Sequence, residues 1–305
     1  MSRFEGNVNM ENIKISTVCG LCGGCLRAIN TTKEELNKGN SVTIFKEIVH
    51  NKNVNNSLAM LGAKTEDDIA KLTPDNIAII RAHGEPPQTF EYLRDKGIEY
   101  RDCTCPNVSA IHNKVQEYSN LGYKIILLGK HKTKMHPEVL GTVGWCNTDC
   151  VLVEDEEDIS KLQSYHNDKF YLVCQTTFNM QKADLYIDKI NEILTQNNCE
   201  LVVNKSICSA QKLINQNSAE LAKQSNIMMV VGGKNSSNSI ELYKNMSSIC
   251  PSVFIEDIFD YALALKEAGL SISKSTKIGL TAGASTLKEE LVELKDLIEK
   301  DIQKA

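Results

Sequence analysis

The chain repeats one pattern: a short β-branched run, a turn of small or polar residues, then a helical stretch. IKISTV precedes CGLCGGCLRAI, SVTIFKEIV precedes HN, NIAIIRA precedes HGEPPQTFEYL, and IEYRDCTCP precedes NVSAIHNKV. YKIILLG precedes KHKTKMHPEV, KFYLVC precedes QTTFNMQKADLYI, and LVVNKSIC precedes SAQKLINQNSAEL. NIMMVVGG before KNSSNSIELYKNM and TKIGLTAG before ASTLKEELVEL complete the series. Strands alternating with helices predict parallel sheets. About nine such units exceed one doubly wound sheet of ordinary size, so the predicted class is α/β, as several small domains with mainly parallel sheets. In the closing helix Leu287, Leu291, Leu294 and Ile298 share one face, with Glu and Lys opposite, which reads as core.

A length of 305 residues allows two or three domains. The hydrophobic fraction of 42% and charged fraction of 24% are those of an ordinary globular protein. A net charge of −5 leaves no basic footprint for nucleic acid. No apolar run is long enough to span a membrane. The opening MSRFEGNVNMENIKIS lacks the apolar core of a signal peptide, so residues 1–12 read as a disordered lead and the chain is expected in the cytoplasm. Eleven cysteines are the anomaly. In a reducing compartment clustered cysteines more often bind metal or do redox chemistry than form bridges, and the odd count argues against a fully paired set. Cys199 and Cys250, near polar segments or element ends, read as ordinary small residues.

Open α/β sheets bind ligands beyond the carboxyl ends of their strands. The residues in those turns are Cys22, His50, His83, Cys105, His136 with Glu138, Thr176 with Thr177, Cys208, Ser236-Ser237-Asn238 and Ser285. His112, inside a predicted helix, and His166, in a polar loop, read as structural or solvated. Three thiolates from separate domains suit a cluster held between domains, and three protein ligands leave one metal position open for chemistry. Zinc is the alternative, with CTC and CGLC as ligand pairs, and spacing alone does not separate the two metals. KNSSNS and AGAST each follow a strand and open a helix, so free backbone N–H groups and the helix dipole suit a phosphate or diphosphate. Plain N-capping is the competing explanation for each turn taken singly. The P-loop pattern GxxxxGK[ST] is absent. In HPE, Glu138 suits a general acid if burial raises its pKa, and QTT adds hydroxyls to orient a polar group or relay a proton.

With GLCGGCLRAI, KEIVHN, AHG, DCTCP, HPEVLGT, QTT, SIC, VVGGKNSSNS and TAGAS in family order, the chain resembles the 4-hydroxy-3-methylbut-2-enyl diphosphate reductase family from about Ile13 to Ser285. The resemblance implies three α/β domains in trefoil-like arrangement around a [4Fe–4S] cluster. Cys22, Cys105 and Cys208 would be its ligands, and one iron would stay open. Domains are expected over 13–105, 106–204 and 205–305, with the opening strand free to join the third. Glu138 would lead proton delivery, with His136 and Thr176 placing the substrate hydroxyl. His50, His83, Ser236, Ser237, Asn238 and Ser285 would bind the diphosphate. The implied reaction is a reductive dehydroxylation yielding isopentenyl and dimethylallyl diphosphates, with electrons from ferredoxin or flavodoxin. The chain departs from the family at Cys19, Cys25 and Cys103, which stand where an arginine, an aliphatic and a small residue are usual. AQKLIN after Cys208, Leu287 in place of a proline, and roughly three extra residues before HPE are further departures. The extra thiols leave open a paralogous iron–sulfur reductase or dehydratase, and a non-enzymatic zinc or redox-sensing module.

Overall fold

The computed structural model describes residues 12–304, so most of the expected lead lies outside the described residues. Strand β1 (Ile13–Ile15) and helix α1 (Gly23–Asn37) come first. They are followed by β2 (Val42–Phe45), α2 (Lys52–Met60), β3 (Lys64–Glu66), β4 (Ile77–Ile80), α3 (Pro87–Asp95) and β5 (Tyr100–Asp102). Next are α4 (Pro106–Asn120), β6 (Lys124–Leu128), α5 (Pro137–Gly144), β7 (Cys150–Val153), α6 (Glu156–Ile159), β8 (Lys169–Cys174), α7 (Met180–Gln196) and β9 (Glu200–Asn204). The last are α8 (Ser209–Ala222), β10 (Ile227–Val231), α9 (Ser237–Ser247), β11 (Ser252–Ile255), α10 (Tyr261–Glu267), β12 (Ile278–Ala282) and α11 (Lys288–Lys304). No helix among the described residues is long and apolar enough to cross a membrane.

The strands form three four-stranded sheets, ordered β3-β2-β4-β5, β7-β6-β8-β9 and β11-β10-β12-β1. Every strand pair in them is parallel, as the alternating pattern predicts. The three orders are one topology used three times. The chain makes an inner strand, steps to one edge, returns to the other inner position and ends at the far edge. In the third sheet β1 takes the place that a thirteenth strand would fill. The six inner strands β2, β4, β6, β8, β10 and β12 carry the β-branched runs, and apart from the first residue of β6 and of β8 they are buried throughout.

By contact density the described chain divides into two units. The first takes residues 12–22, 50–52 and 212–304 and contains the sheet of β1, β10, β11 and β12. Its core packs Met229, Val231 and Leu280 of the sheet against Leu291, Leu294, Ile298 and Ile302 of α11. Leu287, expected in that stripe, lies one residue before the helix and is half-buried. The second unit, residues 23–49 and 53–211, contains the other two sheets and their cores.

Three strands escape the periodicity reading: β3, β7 and β11, each an edge strand of three or four residues. The run SVTIFKEIV also ends earlier than its apolar residues suggest. Lys46 takes φ +64 and turns the chain out of β2, while its ammonium pairs with buried Glu85 at 2.6 Å. Ile48 and Val49 stay buried beyond that turn.

Leu294→Ala removes a side chain with no exposure at all from the α11 stripe. It is expected to cost about 2–5 kcal/mol, read as a lower urea midpoint with the slope unchanged; an unshifted midpoint contradicts this packing.

Candidate active site

A parallel sheet collects all its strand-to-helix turns at one edge. In the sheets of β2 to β5 and of β6 to β9 the chain leaves the two inner strands toward opposite edges, the kind of switch point beyond whose carboxyl ends open α/β sheets bind ligands. The candidate residues other than the cysteines follow these inner strands: His50 after β2 and His83 after β4, His136 and Glu138 after β6 and Thr176 after β8. In the third sheet Ser236, Ser237 and Asn238 follow β10, and Ser285 follows β12.

The cysteines occupy a second equivalent position. Cys22, Cys105 and Cys208 each follow the fourth strand of a sheet and immediately precede a helix, α1, α4 and α8. Each backbone N–H donates to a carbonyl two residues beyond the second inner strand: Cys22 to Ala284 at 3.2 Å, Cys105 to Ala82 at 3.0 Å and Cys208 to Thr176 at 2.9 Å. A thiolate there sits where helix N–H groups and dipole favour negative charge. Cys22 belongs to the first unit, Cys105 and Cys208 to the second. Two glycines make room for this arrangement. At Gly24 a Cβ would lie 2.9 Å from the Cys105 sulfur, and at Gly20, with φ +82, 2.9 Å from the Thr286 carbonyl.

In the second unit Glu138 is 3% exposed and accepts two hydrogen bonds from Thr176, 2.6 Å from its N–H and 2.7 Å from its hydroxyl. Desolvation outweighs those bonds and pushes the carboxyl up from 4.5 to about 7. His136 caps α5, and its Nδ1 accepts the Glu138 N–H at 3.2 Å. That bond places the proton of the neutral ring on Nε2, which makes Nε2 a donor. The His83 ring meets the His136 ring edge-on, with centroids 5.5 Å apart. Thr176 is the hub, because its carbonyl holds Cys208 while its N–H and hydroxyl hold Glu138.

In the first unit Ser236 caps α9, and its hydroxyl accepts from the Ser239 N–H at 3.3 Å and from the Ser285 hydroxyl at 3.4 Å. The KNSSNS and AGAST turns therefore meet. A Cβ at Gly233 would lie 2.3 Å from the His50 carbonyl, so the His50 turn rests directly on this glycine. Asn238 is 7% exposed and its Oδ1 has no hydrogen-bond partner. With the amide turned over, its N–H would be the orphan, a donor suited to an anion beside the start of α9.

The other histidines and the added thiols have separate surroundings. His112 is buried on α4, stacks on Trp145 with centroids 5.5 Å apart, and burial pushes its pKa down to about 4. Its Cε1 would meet a Cβ on Gly84 at 2.6 Å, so it supports the AHG turn from behind. His166 is exposed. Burial pushes the Cys103 thiol up, and its hydrogen bond goes to the Thr31 side chain of α1. Burial also pushes up the Cys19 thiol, which donates to the Ser16 carbonyl at 3.1 Å and packs against the first unit's core. Cys25 lies half-buried on α1, and none of the eleven cysteines is in a disulfide. Among the described residues no three His, Cys, Asp or Glu side chains close around a single ion position. A cavity of about 430 Å³ lined by Phe90, Arg94, Tyr100, Asp102, His112 and Trp145 includes none of the candidate site residues.

Sequence reading missed four supporting residues. Asn107 donates to the Cys208 sulfur at 3.1 Å. Trp145 Nε1 donates to the Glu85 carbonyl at 3.1 Å, and Arg81 lies 3.5 Å from the Glu85 carboxylate beneath the AHG turn. Buried Gln175 accepts from the Lys130 N–H and donates to Thr177, fixing the QTT turn.

The family model described as LytB protein matches residues 13–299. The chain belongs to the LytB protein family. A 4-hydroxy-3-methylbut-2-enyl diphosphate reductase of Clostridioides difficile (strain 630) is 35% identical, over 90% of this chain and 94% of the relative. The Thermoanaerobacter sp. (strain X514) protein of the same name is 34% identical, over 90% and 92%. Among solved structures, the E-1-hydroxy-2-methyl-but-2-enyl-4-diphosphate reductase from Plasmodium falciparum superposes with a TM-score of 0.83 at 29% identity, covering 93% of this chain and 87% of that one. A structure described as (E)-4-hydroxy-3-methyl-but-2-enyl diphosphate reductase, the terminal enzyme of the non-mevalonate pathway, gives 0.68 at 30% identity, covering 94% and 99%.

The raised pKa of Glu138 has a consequence for stability. The folded chain holds this proton more tightly than the unfolded chain, so the contribution is complete below 4.5 and is lost as pH rises through about 7. Glu138→Gln has no proton to lose. It is expected to gain on the parent by up to about 3 kcal/mol between about pH 5 and pH 8. Urea unfolding at the two pH values checks this, and a difference independent of pH contradicts the raised pKa.

Proposed function

We propose that the chain catalyses the reductive dehydroxylation of (E)-4-hydroxy-3-methylbut-2-enyl diphosphate to isopentenyl and dimethylallyl diphosphates, the terminal reaction of the non-mevalonate route to isoprenoids. The overall change consumes two electrons and two protons, replaces the allylic C–O bond by C–H and releases water. The observation that carries this reading within the chain is the hydrogen-bonded run from the Cys208 N–H through Thr176 to the Glu138 carboxyl. It ties a metal-ligand candidate to an acid whose pKa of about 7 suits proton donation near neutrality.

Membership of the family implies an iron–sulfur cluster. In this proposal Cys22, Cys105 and Cys208 are the three ligands of a [4Fe–4S] cluster, and one iron has no protein ligand. The donor set supports it: three thiols at helix starts, and a glycine at position 24 that leaves the Cys105 sulfur its place. When bound, such a cluster supplies single electrons and a Lewis-acidic iron for the allylic oxygen. Glu138 then gives a proton to the departing hydroxyl, which Thr176 Oγ1 and His136 Nε2 orient. The diphosphate takes hydrogen bonds from His50, His83, Ser236, Ser237, Asn238 and Ser285. The orphaned Asn238 amide and the start of α9 support that assignment. Ferredoxin or flavodoxin supplies the electrons in the cytoplasm.

Anaerobic oxidation of reduced methyl viologen by this substrate is the direct test, with two viologen radicals consumed per substrate. No turnover by chain holding a full cluster contradicts the proposal. Glu138→Gln is expected to lower kcat by about 10²–10⁴-fold with the cluster retained. In the parent, activity should fall as pH rises through about 7, where Glu138 loses its proton. Gly24→Val crowds the Cys105 sulfur and should lower bound iron per chain; unchanged iron content contradicts the assignment of Cys105.

A further inference from the structure

The three cysteine turns are equivalent in backbone but not in side chains. Two residues beyond Cys22, Cys105 and Cys208 stand Gly24, Asn107 and Ala210. Asn107 is therefore the one of the three with a side-chain donor. It does not serve the cysteine of its own turn. Its Nδ2 crosses to the Cys208 sulfur at 3.1 Å. As a cluster ligand the sulfur would be a thiolate, which only accepts, and that role agrees with the Nδ2 end of the amide facing it. Asn107 is exposed, so water competes for the amide, yet the amide lies on the sulfur.

Cys208 is otherwise held only through its main chain, by the Thr176 carbonyl, among the contacts described above. Its sulfur thus carries an amide donor that a Gly or Ala at the equivalent position does not supply. Reduction of an iron–sulfur cluster by one electron adds one negative charge, part of which resides on the sulfurs. A donor aimed at a ligand sulfur stabilises the reduced state more than the oxidised state and raises the potential.

We propose that Asn107 is a positioning residue that holds the Cys208 sulfur and raises the reduction potential of the cluster it ligates, which rests on Cys208 being a cluster ligand. Asn107→Leu keeps roughly the size of the side chain and removes the donor at an exposed position, where substitution is tolerated. Asn107→Asp also removes the donor and places a carboxylate beside the sulfur.

The test is an anaerobic redox titration with dithionite, followed by electron paramagnetic resonance, on chain with iron and sulfide quantified. At the poise where the parent is half reduced, Asn107→Leu should show an about fivefold lower reduced-to-oxidised ratio, the equivalent of one hydrogen bond. Asn107→Asp should fall lower still. Unchanged midpoints in both variants, with iron and sulfide contents equal to the parent, overturn the proposal. Cys208→Ser separates the two layers: a cluster with unaltered spectrum in that variant overturns the ligand assignment itself. An altered or lost cluster there, with unshifted Asn107 variants, overturns only the role of Asn107.

Discussion

All-parallel pairing is the constraint from which the rest of this structure follows. Parallel neighbours cannot be joined by a tight hairpin, so every connection crosses over and every strand-to-helix turn falls at the same edge of its sheet. Helix starts with unsatisfied N–H groups collect there, beside whatever side chains the turns carry. Using one topology three times multiplies the arrangement. Each sheet offers two inner turns and one outer turn bearing a cysteine, whose N–H is tied back to the second inner turn. The candidate site needs no special loop architecture, because the sheets already bring acids, hydroxyls and thiols to equivalent positions.

The inner strands were legible because burial on both faces demands unbroken runs such as IAII, KIILL and IMMVV. The edge strands β3, β7 and β11 were not. KTE has no apolar pattern at all, while CVLV and SVFI are too short to separate from the turns around them. A single positive φ at Lys46, sustained by buried Glu85, ends β2 where apolar content alone would extend it. Leu287 misleads in the same way, since the helix begins one residue later.

For the site, residue type and turn position were enough to nominate Glu138, Thr176, the cysteines and the Ser-Asn turn as candidates. What they could not supply was direction. That Glu138 takes both hydrogen bonds from Thr176, or that Asn107 reaches Cys208 101 residues away, depends on packing between distant turns. Cys103 shows the converse. Two residues from Cys105 in sequence, its thiol is spent on Thr31 beneath α1. Proximity in sequence therefore does not give two thiols the same surroundings.

Burying Glu138 costs stability above neutral pH, and the two Thr176 hydrogen bonds only partly offset that cost. A carboxyl kept protonated near pH 7 is useful only if a proton acceptor arrives beside it, which ties the acid to the proposed open iron. Mössbauer spectra of ⁵⁷Fe-loaded chain, recorded with and without substrate, test that link most directly. Four irons per chain are expected, of which one changes its parameters when substrate binds while three do not. Four irons that all remain unchanged on binding, or a single bound metal ion in place of the cluster, would contradict it.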